Sequence, residues 1–205
     1  KEASETCVRN FISDFYGTPD AWSVKTAGQK ILLALNRWLV GQSQVKGHIS
    51  TLSALIIKSQ QAYIFHVGDT RIYRLRGKHF EQLTNDHSTY VNKDTAYLSR
   101  AMGMDSRLEV DYSQVEVAVG DIFFLSTDGI HDYLNDKTMQ ATLMASSNDF
   151  EATSQALIKM ALDAGSSDNL SCQIIRVEKL PDPNDQDIYK KLSDLPFPPP
   201  LDIGQ

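Results

Sequence analysis

Apolar residues recur at helical spacing through the first forty residues of the chain. In the segments Glu2–Tyr16 and Ser23–Val40 they lie three or four residues apart, as on one face of a helix. The Gly-Thr-Pro-Asp sequence of Gly17–Asp20 separates the two segments. The pattern therefore predicts two helices, each with one apolar face.

From about residue 47 the spacing becomes that of β-strands, with short turns between apolar segments. The first four strands are close together along the chain and predict an antiparallel meander. The next two are expected to join the same core. The predicted strands are His48–Lys58, Gln61–Val67, Arg71–Arg76, His79–Leu83, Glu109–Ala118, Asp121–Ser126 and, near the end, Leu170–Val177.

Helical spacing returns between the last two strands, at Gly129–Leu134, Thr138–Ser146 and Asp149–Ala164. Helices at both ends of the chain with strands between them predict an α+β fold in which helices cover the sheets.

The length and proline content indicate one domain followed by a tail. The chain has 205 residues, 41% of them hydrophobic, which suffices for one sizeable core. Six of its seven prolines fall in the last 25 residues, and such a segment buries too little apolar area to fold by itself. We expect a domain over 1–180 and a linker or tail over 181–205. The Leu195–Leu201 segment favours an extended spacer, with a polyproline II ligand as the alternative.

Charge and cysteine content exclude several classes of function. A net charge of −6 and a pI near 5.3 oppose binding to nucleic acid or to an anionic membrane. The longest apolar run, Ile31–Val40, is interrupted by Asn36 and Arg37, so no membrane span is expected. Cys7 and Cys172 form no disulfide framework, which favours a reducing compartment and a cytoplasmic location.

Three aspartates follow apolar strands or lie in turns next to them: Asp69, Asp128 and Asp168. If they converge, they form an all-oxygen site suited to a hard divalent cation. Each also has an ordinary structural explanation. Asp69 fits a hairpin turn, Asp128 a helix N-cap, and Asp168 a Ser-Ser-Asp-Asn turn.

Six segments, in order and with matching spacing, carry a family resemblance. They are Gly47–Thr51 (GHIST), Val67–Tyr73 (VGDTRIY), Leu83–Ser88 (LTNDHS), Leu98–Gly103 (LSRAMG), Gly120–Gly129 (GDIFFLSTDG) and Ser167–Ser171 (SDNLS). Together they resemble the metal-dependent type 2C (PPM) protein Ser/Thr phosphatases, and the proline-rich tail resembles the linker of the bacterial form that is fused to a protein kinase.

The resemblance implies an α-β-β-α sandwich of two antiparallel sheets flanked by helices. It also implies a Mn²⁺ or Mg²⁺ centre whose bridging water attacks phosphoserine or phosphothreonine in a phosphoprotein substrate. By motif position, Asp128 and Asp168 correspond to ligands of a core metal. Asp69 corresponds to a ligand of a third, more weakly held metal, with Asp128 shared.

The chain also departs from the family pattern. The family's upstream elements, an Arg, a Glu/Asp pair and a bridging Asp-Gly turn, have no counterpart, so the domain is expected to lack its first strands. The chain begins at Lys1 rather than Met, which fits a piece of a longer polypeptide. We therefore expect little or no activity from this chain alone, and sheet edges open to homo-oligomer formation.

The Ser88–Tyr97 segment is shorter than the flap that bacterial family members usually carry at this position.

Arg71 and the histidines are not assigned to the metal site and are interpreted as structural. Arg71 is expected to support the Asp69 turn, with phosphate capture as the alternative, and His87 is expected near the cleft rim. The other histidines, His48, His66, His79 and His131, are also interpreted as structural.

Three classes of function stay open from the sequence. The first is a phosphatase that acts on phosphoproteins. In this class a protein kinase domain is a possible partner, because the tail resembles the linker to such a domain in bacterial fusions. The second is a phosphatase-like module that binds phosphoproteins or regulates a linked kinase without hydrolysis. The third is a structural module that docks with another segment or subunit.

Overall fold

The computed structural model describes residues 2–42, 49–92, 95–146 and 149–182, and the side chains of 90–96 also lie outside what it describes. His48 and the proline-rich segment after Asp182 fall outside these ranges. The domain boundary at residue 180 therefore stays a prediction.

Two helices open the chain, as the apolar spacing predicts. Helix α1 covers Glu2–Tyr16 and α2 covers Val24–Gln42. Each buries one face, on which Phe11 of α1 and Leu32 of α2 belong to the same apolar cluster. The Ser23 hydroxyl accepts a hydrogen bond from the Thr26 N–H at 3.1 Å, which satisfies a free donor at the start of α2.

The strands form two main antiparallel sheets. One has three strands in the order β1-β2-β7, and the other has four in the order β4-β3-β8-β9. Their bounds are β1 Leu52–Lys58, β2 Gln61–Val67, β3 Arg71–Arg76, β4 His79–Gln82, β7 Asp111–Glu116, β8 Ile122–Ser126 and β9 Cys172–Arg176.

The predicted meander is wrong at the turn that contains Gly68. Strands β1 and β2 pair, as do β3 and β4, but β2 continues to β7 in one sheet and β3 to β8 in the other. Gly68 has a φ of +112°, and a Cβ there would lie 2.3 Å from Cγ2 of Thr51. The turn therefore needs glycine. Hydrophobic spacing in the sequence predicts where a strand ends but not which strand it pairs with. A short connection between strands of different sheets, such as that from β2 to β3, therefore has the same sequence pattern as a hairpin turn.

A two-stranded ribbon was not predicted from the sequence. Strand β5, Ser88–Asn92, pairs with β6, Thr95–Leu98, in antiparallel register. The sequence identifies this segment only as a brief flap. Because both strands are short and mixed in polarity, they lack the alternation that identifies a half-buried strand.

Three further helices cover the four-stranded sheet. Helix α3 covers Asp128–His131, α4 covers Asp136–Ala145, and α5 covers Phe150–Asp163. Helix α3 is shorter than predicted, whereas α4 and α5 lie close to their predicted positions. Ile130 of α3 and Leu157 of α5 are fully buried against Phe124 of β8.

The apolar clusters establish the order of the layers. Helices α1 and α2 pack on the three-stranded sheet, where Phe65 of β2 joins their cluster. A separate cluster lies between the sheets and includes Ala62 of β2 and Phe123 of β8, both fully buried. With α3 and α5 on the far side, the order is helix, sheet, sheet, helix. The predicted α+β class is confirmed.

The contact of α2 with β2 gives a test of this packing. A Cβ at Gly28 would lie 2.3 to 2.6 Å from the fully buried ring of Phe65. Gly28→Ala is therefore expected to lower the free energy of unfolding by about 1–3 kcal/mol, as overpacking of cores does. Urea unfolding followed by circular dichroism measures this change.

Gly41→Ala is the matched control, because Gly41 lies in the same helix and a Cβ added there would meet nothing within 4 Å. Here alanine is expected to raise stability by up to about 1 kcal/mol through helix propensity. If Gly28→Ala left stability unchanged or raised it, the tight approach of α2 to Phe65 would be contradicted.

Candidate metal centre

Asp128 lies where strand β8 ends and α3 begins. The N-cap of α3 is Thr127, whose side chain makes no capping hydrogen bond. The capping interpretation of Asp128 is therefore corrected, since the aspartate lies one residue inside the helix. Its Oδ1 accepts a hydrogen bond from the Gly129 N–H at 2.9 Å, which leaves Oδ2 with no hydrogen bond among those described.

Asp168 is brought next to this helix start by hydrogen bonds and close packing. The Thr127 N–H donates to the Ser171 carbonyl at 3.1 Å, and the Ser166 hydroxyl donates to the Gly129 carbonyl at 2.8 Å. A Cβ on Gly129 would lie 3.5 Å from Cβ of Asp168. The backbones that carry the two aspartates are thus in contact.

Asp69 lies in the turn between β2 and β3, and the charge of Asp128 affects its pKa. Partial burial of Asp69 raises its pKa to about 6, and the negative charge of Asp128 acts in the same direction. Charges act on one another in this way only at short range in a partly buried setting. Asp69 and Asp128 therefore share one electrostatic neighbourhood, and Asp168 adjoins it through the contact of its Cβ with the Gly129 position.

Two more carboxylates border this neighbourhood, and sequence reasoning missed both. Partial burial raises the pKa of Asp132, and the charges of Asp128, Asp86 and Asp168 raise it too, against the effect of Arg71. The charge of Asp86 also raises the pKa of Asp69. The spacing of four residues from Asp128 to Asp132, one helical turn, could have indicated the first of them.

Arg71 is bound by partners other than the Asp69 turn. Its Nη2 donates to Oδ2 of Asp86 at 2.6 Å, and its Nη1 donates to the Tyr73 hydroxyl at 3.1 Å. Burial disfavours the Arg71 charge, but these hydrogen bonds outweigh burial and raise its pKa. The expected support of the Asp69 turn by Arg71 is corrected, because Asp86 takes the guanidinium.

The described histidines have structural environments. Burial lowers the pKa of His66 and of His131 to about 4, so both are neutral at pH 7. His79 is exposed and lies 3.7 Å from Glu81. His87 differs from the expectation of a rim residue, since it is buried and hydrogen-bonded to the Gly68 N–H at 3.0 Å.

The donor set determines which ligands this cluster suits. Within residues 2–42, 49–92, 95–146 and 149–182, no group of three His, Cys, Asp or Glu side chains is arranged to hold a metal by itself. Mg²⁺ is commonly held by one or two carboxylates, with water and substrate oxygens completing its shell. Asp128 with Asp69 or Asp168 supplies such a pair, and the mutual repulsion of these carboxylates favours a cation between them.

In the same described segments, no helix is both long and apolar enough to cross a membrane.

Comparison with known families gives a match over most of the chain. The family model described as protein phosphatase 2C matches residues 2–174. Protein phosphatase PhpP of Streptococcus pneumoniae is 24% identical over 156 residues, which cover 68% of this chain and 63% of PhpP. The chain therefore spans less than two thirds of that relative. Serine/threonine phosphatase stp of Listeria monocytogenes is 28% identical over 196 residues, covering 84% of this chain and 77% of stp.

Solved structures show the same fold. PppA of Pseudomonas aeruginosa, described as a key regulatory component of the T6SS, has a TM-score of 0.72 and 26% identity, covering 84% of this chain and 79% of PppA. The catalytic domain of the phosphatase PstP in complex with two manganese ions has a TM-score of 0.75 and 21% identity. That match covers 86% of this chain and 81% of the PstP domain.

The raised pKa of Asp69 generates a pH-dependent prediction. Its folded-state pKa of about 6 exceeds the value of about 3.9 typical of an unfolded chain. The folded chain thus holds the Asp69 proton more tightly, and stability falls as pH rises through this interval. In buffer with a chelator, Asp69→Asn is expected to be more stable than wild type at about pH 8, and the difference is expected to disappear as pH falls below about 4.

Urea unfolding at a series of pH values measures the difference. Asparagine keeps an oxygen that accepts the local backbone hydrogen bond, so the comparison isolates the charge. An equal gain at both ends of the pH range would mean that packing causes the effect, rather than burial of the Asp69 charge and its repulsion by Asp128.

Proposed function

The chain belongs to the protein phosphatase 2C family, and we propose that the protein hydrolyses phosphoserine and phosphothreonine esters in phosphoprotein substrates. In this proposal Asp128, Asp168 and Asp69 hold divalent cations, Mn²⁺ or Mg²⁺. The proposal extends to this chain the activity for which PhpP and stp are named and the manganese with which the PstP domain was solved.

One observation carries the proposal: Asp128 has an aspartate from a separate segment on each side of it, Asp168 and Asp69. The turn that carries Asp168 packs on Gly129 beside Asp128, and Asp128 raises the pKa of Asp69. A protein gains no stability from gathering like charges at one place. A cation bound between them would remove this cost, and this supports the proposed metal site.

The chain's own residues have distinct tasks in this proposal. Asp128 accepts from the Gly129 N–H through Oδ1 and would hold the cation with its second oxygen. Asp69 holds a proton near pH 6, which a cation displaces on binding. Arg71 is fixed by Asp86, so it supplies positive charge at the border of the site without moving.

When bound, a divalent cation lowers the pKa of coordinated water and offsets negative charge on the phosphate oxygens. These are the two demands of phosphate ester hydrolysis, because the ester is an anion that repels hydroxide. Oxygen ligands of the kind gathered here suit Mg²⁺ and Mn²⁺ rather than softer metals.

A linked protein kinase domain and a homo-oligomer are the further partners in this proposal. A protein kinase domain following the tail rests only on the resemblance of the tail sequence. Homo-oligomer formation rests on the edge strands, which among the described residues are β1 and β7 in one sheet and β4 and β9 in the other. Two free thiols, at Cys7 and Cys172, support the proposed cytoplasmic location.

Mn²⁺ titration of the 205-residue chain tests the metal site. Asp128→Asn keeps the side-chain shape but removes the charge shared by the proposed sites. We expect it to weaken Mn²⁺ binding by at least about tenfold, the lower end of losses seen even for residues that only support a ligand. Calorimetry measures the dissociation constant. Asp163→Asn, at the exposed end of α5 where Asp163 pairs with Lys159, is the control and should bind as wild type does.

Release of phosphate from a phosphoserine peptide, measured beside the complete gene product, tests the reaction. For the 205-residue chain alone, little or no turnover is the prediction. Mn²⁺ binding without turnover in the complete protein would favour the alternative, a phosphatase-like module that binds phosphoproteins or regulates a linked kinase. Wild-type binding by Asp128→Asn would contradict the proposed metal site itself.

A further inference from the structure

His87 holds the residue that precedes Asp69 at two points. Its ring Nδ1 accepts a hydrogen bond from the Gly68 N–H at 3.0 Å, and its backbone N–H donates to the Gly68 carbonyl at 2.7 Å. Both backbone hydrogen-bonding groups of Gly68 are thereby taken by one residue that lies nineteen positions further along the chain. The turn that carries Asp69 is thus anchored from outside its own strands.

The far side of the His87 ring is also fixed. Its Nε2 lies 3.0 Å from Oδ2 of Asp111, and Nη1 of Arg100 donates to the other oxygen of that carboxylate at 2.7 Å. Because Nδ1 accepts from an N–H, the ring proton must be on Nε2, which donates it to Asp111. Arg100 Nη1 also lies 3.1 Å from Nε2, but two donors form no bond.

The Asp111 carboxylate is well suited to orient this ring. Partial burial raises its pKa, but the hydrogen bonds from His87 and Arg100 outweigh burial and lower it. Asp111 is therefore an ionised acceptor at neutral pH. A carboxylate that orients a histidine in this way fixes its tautomer and its plane.

The neighbouring histidine provides a comparison within the same part of the fold. The His66 ring centroid lies 4.7 Å from that of His87, and both residues are buried. His66 is bonded instead to the Ser53 hydroxyl at 2.8 Å and to the Asn85 carbonyl at 2.9 Å. His66 and His87 are thus both buried imidazoles, but of the two only His87 is hydrogen-bonded to Gly68.

We propose that His87 is a positioning residue that, with Asp111 and Arg100 behind it, holds the Gly68–Asp69 turn so that Asp69 stays beside Asp128 for cation binding. This inference rests on the proposed function, because it assigns a role in holding the metal site. It makes no use of His87 as an acid or a base.

Two substitutions separate the two bonds of the ring. In His87→Asn the amide oxygen takes the place of Nδ1 and can accept from Gly68, but no donor reaches Asp111. In His87→Gln the amide nitrogen takes the place of Nε2 and can donate to Asp111, but no acceptor reaches Gly68. If the bond to Gly68 matters for the site, asparagine rescues and glutamine does not.

The first measurement is Mn²⁺ affinity of the 205-residue chain. His87→Gln is expected to bind Mn²⁺ about tenfold more weakly than wild type, within the range found for residues that orient metal ligands. His87→Asn is expected to stay close to wild type. His66→Gln is the control for disturbing a buried histidine next to His87, and it should leave Mn²⁺ affinity unchanged.

The second measurement needs no metal. Hydrogen exchange of the Gly68 amide, followed by NMR in buffer with a chelator, should be slow in wild type and in His87→Asn. It should accelerate in His87→Gln, where the acceptor is lost. A double variant that carries both Asp69→Asn and His87→Gln should bind Mn²⁺ no more weakly than the single variant Asp69→Asn. This follows because His87 acts on the cation only through Asp69.

The outcomes separate the two hypotheses. If His87→Gln binds Mn²⁺ as wild type does, or if the asparagine and glutamine variants lose affinity and urea stability to the same extent, the positioning role is overturned. If wild type binds no Mn²⁺, the proposed metal site fails instead, and the exchange rate of the Gly68 amide still decides whether His87 holds the turn.

Discussion

The face-to-face packing of the two sheets is the constraint on which the rest of the structure depends. Ala62 of β2 and Phe123 of β8 are fully buried between the sheets, so these strands hold a fixed position relative to each other. Asp69 and Asp128 follow shortly after them. The energy that brings the two carboxylates together is therefore that of apolar burial at a distance from the charges. Apolar burial in the core thus offsets the cost of the repulsion between the carboxylates.

That cost is visible in how the surrounding charges are arranged. The arginine in the neighbourhood, Arg71, is engaged by Asp86 through both its Nε and Nη2. It therefore neutralises the carboxylate that borders the site rather than those at its centre. Asp69 keeps a pKa of about 6 in spite of the arginine two residues away. An arrangement that places its positive charge at the border keeps its central oxygens available to a cation.

Sequence reasoning was accurate where a local pattern determines the structure. Strands β2 and β3 have the predicted bounds, because alternating apolar residues and flanking turns are local signals. It failed where a partner distant in the chain decides, as in the assignment of β2 and β3 to different sheets. Asp86 was missed for the same reason, whereas the spacing of Asp132 from Asp128 is a local signal that was overlooked. The three aspartates were found as candidates, but their proximity depends on pairing that spacing does not encode.

Glycines beside two of the aspartates show how much of the site depends on such distant partners. Gly68 precedes Asp69, and Gly129 follows Asp128. A Cβ on the first would lie 2.3 Å from the Thr51 side chain, and a Cβ on the second would lie 2.8 Å from the Asn169 carbonyl oxygen. Gly-Asp and Asp-Gly are ordinary turn sequences, and in isolation they predict turns and no more. Here each glycine lets a segment from elsewhere in the chain approach the backbone closely, and this contact places the backbone next to the aspartate. The same dipeptide is a simple turn or part of a binding site according to what packs against its glycine.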